Sequence, residues 1–251
     1  MTDPRAGRRL PTDALVTILQ PWDEIAEPLH RRLVHVLDPS PEWDTLWVGA
    51  GAARSALWWA KRVGGHVAAL DPRPAAVEWA ERAARSSGLS RRVTLQAGWA
   101  DDLPHETDVF DLIVLSLLLQ PRVDAGEAMR QAARVVRPRR PVAALVPTWS
   151  GTPPEGPAAD LARLGIHPRF LVEWKATLRD AGFVELTAEA IAPDGRWLAS
   201  GWIGVLLRAW RAAGVRAVSG MLAREIRALR ALVRTRALGA SLITGVRWID
   251  A

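Results

Sequence analysis

Apolar residues recur along this chain at two spacings, and the switch between them divides it. From Thr12 to Leu37, residues such as Leu29, Leu33 and Val36 return at helical intervals, which predicts a helix interrupted near Pro21 and Pro28. Asp38-Pro39-Ser40-Pro41 then breaks the pattern. From Thr45 onward, short apolar runs alternate with amphipathic stretches, the signature of a mostly parallel sheet covered on both faces by helices. Strands are expected at 45–49, 66–70, 92–96, 109–116, 142–146, 183–191 and 241–246. Helices are expected at 53–63, 74–87, 127–136 and 172–181, with Gly88 and Gly182 at helix ends, and 147–157 is a Pro/Gly-rich loop of the kind that borders a site. The fold class is therefore α/β: a seven-stranded, mostly parallel sheet with helices on both faces and a helical insertion before the last strand. The expected divisions are a helical cap over 1–40, the sheet domain over 41–194 plus 239–251, and the insertion over 195–238.

Charge singles out that insertion. Gly195 to Leu238 holds nine arginines and one acid, Glu225, although the whole chain is only +6. Leu222, Ile226, Leu229 and Val233 fall on one helical stripe, with Arg224, Arg227, Arg230 and Arg234 to the other side. The plainest account is a pair of amphipathic helices packed on the domain with arginines in water. Trp197, Trp202 and Trp210 among the arginines also suit peripheral contact with an anionic membrane or lipid-like acceptor, a homodimer interface, or, less favoured, RNA.

Composition removes whole classes of chemistry. With no cysteine there are no disulfides, thiolate metal sites or cysteine nucleophiles, and no metal site is expected. Asn and Tyr are absent too, and Lys occurs only at Lys61 and Lys175. Met1 to Arg9 is polar and basic without an apolar stretch, so a cytosolic location is expected, peripheral at the membrane if the insertion binds lipid.

The chemistry gathers at strand ends. Gly49 and Gly51 follow the first strand, where a glycine-rich turn lets a ligand approach the backbone at the carboxyl edge of the sheet. Twenty residues beyond Gly51, Asp71 ends the second strand, where a carboxylate accepts hydrogen bonds from two ribose hydroxyls. Separately, these are a tight turn and a helix-capping Asp. Together, in strand–turn–helix context, they describe a nucleoside pocket. Arg54 occupies the third glycine position of a G-x-G-x-x-G dinucleotide fingerprint, which turns the reading away from a pyrophosphate.

Trp47-Val48-Gly49-Ala50-Gly51-Ala52-Ala53, Gly98-Trp99-Ala100-Asp101-Asp102-Leu103-Pro104 and Phe110-Asp111-Leu112-Ile113 together resemble the motifs of class I, Rossmann-like S-adenosylmethionine-dependent methyltransferases, particularly the ubiquinone/menaquinone-type small-molecule group. The resemblance runs from about Pro21 to Phe183 and implies methyl transfer from S-adenosylmethionine to a small-molecule or lipid-like acceptor. It implies that Gly49, Ala50 and Gly51 contact the methionine part, Asp71 and Pro72 the ribose side, Trp99, Ala100 and Asp101 the adenine, and that Ser116 faces the methyl group. Three positions depart from the family pattern: Trp47 stands for an acid, Ala53 for a glycine, and Trp99 for an Asp. A methyltransferase-fold protein that has lost catalysis and serves as a binding or scaffold subunit is the alternative, and an RNA methyltransferase the third. Ser116-Leu117-Leu118-Leu119 replaces the Asn/Asp-Pro-Pro-aromatic signature of base and amide methylation. His30, His35 and His167 are near the expected mouth, but no catalytic role is assigned, since transfer from a sulfonium depends mainly on positioning. His66 is expected to be structural.

Overall fold

The apolar runs pair into one sheet. In a computed structural model, residues 22–51, 53–118, 123–153, 156, 158–159, 161, 166–192, 232 and 235–248 are described, with side chains from 29 onward except at 75 and 192. The strands are β1 (Thr45–Val48), β2 (Val67–Asp71), β3 (Val93–Ala97), β4 (Leu112–Ser116), β5 (Pro141–Trp149), β6 (Phe183–Ala192) and β7 (Leu238–Arg247). The helices are α1 (Trp22–Leu37), α2 (Arg54–Arg62), α3 (Pro74–Ser86), α4 (Ala125–Val135) and α5 (Leu171–Asp180). Strand order is β3-β2-β1-β4-β5-β7-β6, and β7 alone runs antiparallel to its neighbours.

The order reverses between β1 and β4, and in open α/β sheets the ligand crevice lies at such a switch point, beyond the carboxyl ends of the strands. Both faces are covered, which explains why the strands read as unbroken apolar runs. Leu46, Val48, Ile113, Leu115 and Ala144 pack with Ala128, Met129 and Ala132 of α4 and Trp174 and Leu178 of α5. The intervening Trp47, Leu112, Val114 and Ala143 pack on the opposite side with Leu33 of α1, Trp59 of α2 and Ala80 of α3. This period of two places alternate strand residues in different cores.

Several expected boundaries move, each for a local reason. α1 is continuous through Pro28, its seventh residue, so the interruption expected there is absent; the proline forgoes one i→i−4 bond inside a helix of 16 residues. The residues before Trp22 lie outside the described set. β4 starts at Leu112 rather than 109, because Val109 and Phe110 donate to the Val135 carbonyl and Asp111 donates to Asp44 instead of joining the ladder. β5 continues through Trp149, into the expected loop. Pro147 is tolerated because the pairing with β4 has already ended at Leu145. β7 gains both ends over 241–246 by pairing with β5 and β6 at once. α4 starts earlier, at Ala125, because the Asp124 side chain accepts from the Glu127 N–H as its N-cap. Gly88 and Gly182 follow α3 and α5 in the left-handed region, as expected of helix stops. The basic insertion lies outside the described residues except at 232 and 235–238. Among the described residues, no helix is long and apolar enough to cross a membrane.

Candidate cofactor site

The loop after β1 is hung on the end of β2. Gly49 and Ala50 both donate to the Leu70 carbonyl, at 2.8 and 3.0 Å, and Gly49 and Gly51 take φ of 74° and 55°. Ala53, the N-cap of α2, is also left-handed at φ 56°. That conformation costs a non-glycine residue about 1–2 kcal/mol. Burying the methyl group recovers much of this, at about 0.8 kcal/mol, so the alanine in place of the family glycine leaves the loop's shape intact.

Asp71 ties three strand ends together. Its side chain accepts from the Gly51 N–H at 2.8 Å, and its backbone carbonyl accepts from the Gly98 N–H at 3.1 Å. The first loop, the end of β2 and the turn after β3 therefore meet at one residue, which is 1% exposed. Asp71 is not the cap of α3; that position is Arg73, with Pro74 as the first helical residue. Arg73 is extended, with φ −100° and ψ 110°, and its N–H, Nε and Nη2 donate to the Asp71 carboxylate at 3.0, 2.7 and 2.8 Å. Sequence reasoning passed over Arg73, although the signal was present: between Pro72 and Pro74 the chain is held extended, and residues two apart in extended chain share a side. Pro72 itself is buried.

The turn after β3 is built differently from its neighbours. Trp99 and Asp102 form an isolated antiparallel bridge, Ala100 is fully buried between them, and Trp99 is half-buried. The Asp101 carboxylate accepts from the Asp124 N–H at 3.2 Å, joining this turn to the start of α4. Arg134, near the end of α4, donates to the carbonyls of Leu103 and His105 at 2.8 and 2.6 Å and so fixes the chain leaving the turn. Asp124 and Arg134 were both missed, because neither lies in a motif; only the folded chain brings them to 101–105. Val48 and Leu115 are register partners, so Gly49 and Ser116 leave the sheet side by side across the switch point.

Two features bear on the departures from the family pattern. Trp47 is 2% exposed and packs edge-on to His30 and Trp59, with ring centroids 5.6 and 5.8 Å away. It is a core residue joining β1, α1 and α2, where the resemblance implied an acid. His30 also stacks on Trp58 at 5.1 Å, which makes it part of this cluster rather than of the crevice. His167 is held below its ordinary imidazole range, first by burial and then by Arg169. It lies on the 166–169 segment that runs beside the end of β5 through a Thr148–Arg169 bridge. His66 shares a hydrogen bond with the Thr94 hydroxyl at 3.1 Å, as befits a structural histidine.

Beyond the carboxyl ends of β4, β5 and β6 the packing is apolar. Leu118, Trp149 and Ile191 pack on a cluster of Leu161, Ile166, Leu232 and Leu238. The groups a nucleoside would use are gathered at these strand ends: left-handed glycines at the loop, a buried carboxylate already paired with Arg73, and a half-buried indole on the next turn.

Residues 46–139 match the family model described as a methyltransferase domain. Over these residues the chain is similar to methyltransferase domains. It is 34% identical over 122 residues to the methyltransferase GfsG of Streptomyces halstedii, a match covering 48% of this chain and 43% of that protein. It is 30% identical over 154 residues to the sarcosine/dimethylglycine N-methyltransferase of Halorhodospira halochloris, covering 59% of this chain and 54% of that protein. These matches span about half of each curated relative. Among solved structures, the [4+2]-cyclase SpnF superposes with a TM-score of 0.76 at 18% identity, covering 94% of both chains. That likeness is one of fold. The backbone is thus shared with proteins of more than one chemistry, and the chain's own residues must decide its activity.

Proposed function

We propose that this protein transfers the methyl group of S-adenosylmethionine to a small or lipid-like acceptor. The observation that supports this most is the junction at Asp71, where the loop after β1 and the turn after β3 are hydrogen-bonded to one strand-end residue. When bound, S-adenosylmethionine supplies an electrophilic methyl group on a sulfonium sulfur. The chain's own residues position it. Gly49, Ala50 and Gly51 present backbone to the methionine part, and Asp71 accepts the ribose hydroxyls beside Pro72. Trp99 offers a stacking face for adenine, while Ala100 and Asp101 border its edge. Ser116, leaving the sheet beside Gly49, faces the methyl group. Leu118 and Trp149 exclude water from the acceptor side and favour an apolar acceptor body. Rate then comes from in-line placement rather than from a strong base.

A radiolabelled methyl-transfer assay over a panel of small amines, phenols and prenyl or quinone-like lipids tests this. Label transfer to a small or lipid-like compound is expected; transfer only to total RNA would replace the acceptor class. A second reading, a methyltransferase-fold binding protein without turnover, is favoured by Trp47 in place of an acid and by the bonds Asp71 already makes. Cofactor binding without transfer to any of these acceptors would support it.

The 195–238 segment, with Trp197, Trp202 and Trp210 among its arginines, suits an anionic lipid surface in this reading. Sedimentation with phosphatidylglycerol vesicles should fall when 196–236 is deleted. Unchanged sedimentation would leave the packed-helix account, and a change in oligomeric state would indicate a homodimer interface.

A further inference from the structure

Counting the acceptor sites of Asp71 shows a conflict with the pocket it belongs to. Its Oδ1 accepts from the Arg73 N–H at 3.0 Å and from Arg73 Nε at 2.7 Å. Its Oδ2 accepts from the Gly51 N–H at 2.8 Å and from Arg73 Nη2 at 2.8 Å. A carboxylate offers about four lone-pair positions, two on each oxygen, and all four are used by the chain itself. A ribose diol has nowhere to donate until two of these donors leave.

Which two can leave follows from what holds them. The Gly51 and Arg73 N–H groups belong to backbone that shapes the loop after β1 and the entry to α3, so moving them unfolds the site. The guanidinium is held through a side chain, and a rotamer change removes it. Its fork gives one bond to each oxygen, the pattern that two vicinal hydroxyls make. It also lies over the loop: a Cβ on Gly51 would come 3.8 Å from Arg73 Nη2, so the fork is on the side-chain face of the second loop glycine. Both partners are almost wholly buried, with 8% and 1% of their side chains exposed, so the pair is shielded from solvent screening.

We infer that Arg73 is an intramolecular stand-in for the ribose diol, which the nucleoside cofactor displaces from Asp71 as it binds. The inference rests on the nucleoside reading of this site. Arg73 then acts as a gate on affinity: Asp71 is open to a ribose diol only in the fraction of molecules whose fork has swung away, and the apparent Kd of a diol-bearing ligand rises by the inverse of that fraction. It also sets a preference, because only a ligand with both hydroxyls replaces both bonds.

Calorimetry on the wild type, Arg73→Ala and Arg73→Gln with S-adenosylhomocysteine, adenosine and 2′,3′-dideoxyadenosine tests this. A fork closed nine-tenths of the time predicts that Arg73→Ala binds S-adenosylhomocysteine and adenosine about tenfold tighter, with Arg73→Gln between. The gain should vanish for dideoxyadenosine, which makes no demand on the carboxylate. Equal or weaker binding by both variants while the wild type binds overturns the gate and leaves the cofactor site standing. Binding by none of the three proteins removes the nucleoside reading and the gate with it. A wild-type measurement covers variants that fail to fold: the Arg73 Nε–H should be protected from solvent exchange in the free protein and lose that protection at saturating S-adenosylhomocysteine. Protection retained at saturation contradicts the displacement.

Discussion

Arg134 shows how a residue outside every motif can shape the site. Its two bonds to the carbonyls of Leu103 and His105 hold the chain that leaves the turn after β3. Arg134→Ala should cost about 2 kcal/mol in chemical denaturation, the scale of charged hydrogen bonds lost from part-buried carbonyls. It should also weaken S-adenosylhomocysteine several-fold while leaving the acceptor KM unchanged; an unaltered cofactor Kd would make its role purely one of stability. Asp124 acts from the same helix. Its carboxyl is held below the ordinary carboxylate range, chiefly by accepting from the Glu127 N–H and further by Gly126 and the charges of Arg130 and Arg169. A depressed folded-state value means stability that is present above the unfolded value and lost as pH falls through the folded one. Asp124→Ala should therefore cost about 1 kcal/mol at neutral pH, a difference that disappears in acid once both states are protonated. Gly49, Gly51 and Asp71 were legible at this scale because a strand-end loop needs particular residue types at fixed spacing. Arg73 and Arg134 were not singled out, because their meaning depends on where a guanidinium reaches.

At the scale of elements, the N-terminal helix belongs to the sheet through aromatic packing. Trp47 meets His30 of α1 and Trp59 of α2, and His30 stacks on Trp58. The indole at position 47 thus joins three elements. Trp47→Ala should lower stability by about 3–5 kcal/mol, as for other large buried aromatic truncations, and a thermal melt reads it directly. A loss below about 1 kcal/mol would mean that α1 does not depend on this cluster. Asp111 is the counterpart at the opposite edge of the sheet. It accepts from the Asp44 N–H at 3.1 Å and pairs with Arg137 at 2.7 Å and Arg140 at 3.2 Å, joining the starts of β1 and β4 to the segment after α4. Because both arginines are partly exposed, Asp111→Ala should cost only about 2 kcal/mol. Cofactor binding should be unchanged, which separates a structural acid from Asp71. The alternating apolar and amphipathic segments showed that these elements exist. Their ends were less legible, since the start of β4 is set by the bonds that Val109 and Phe110 make to Val135, far away in sequence.

The molecule as a whole places polar strand-end loops and an apolar cluster on either side of one switch point. Loop, Asp71 and turn lie over β1 to β3, while Leu118, Trp149 and Ile191 lie over the other half. That division suits a nucleoside cofactor meeting an apolar acceptor. A mostly parallel sheet with its site at the carboxyl edge followed from the strand pattern; the order β3-β2-β1-β4-β5-β7-β6 came only from the folded chain. The acceptor did not follow from the pattern, because the apolar cluster beside the site is assembled from residues as distant as Leu118 and Leu238 and no local motif announces it. The central claim is that Asp71 receives the ribose of S-adenosylmethionine, and the most direct test is calorimetric titration of S-adenosylhomocysteine into the wild type and Asp71→Asn, with folding checked by circular dichroism. Saturable one-site binding to the wild type, weakened at least about tenfold, or about 1.4 kcal/mol, in Asp71→Asn is the predicted result. No binding to the folded wild type, or equal binding to both, would contradict it.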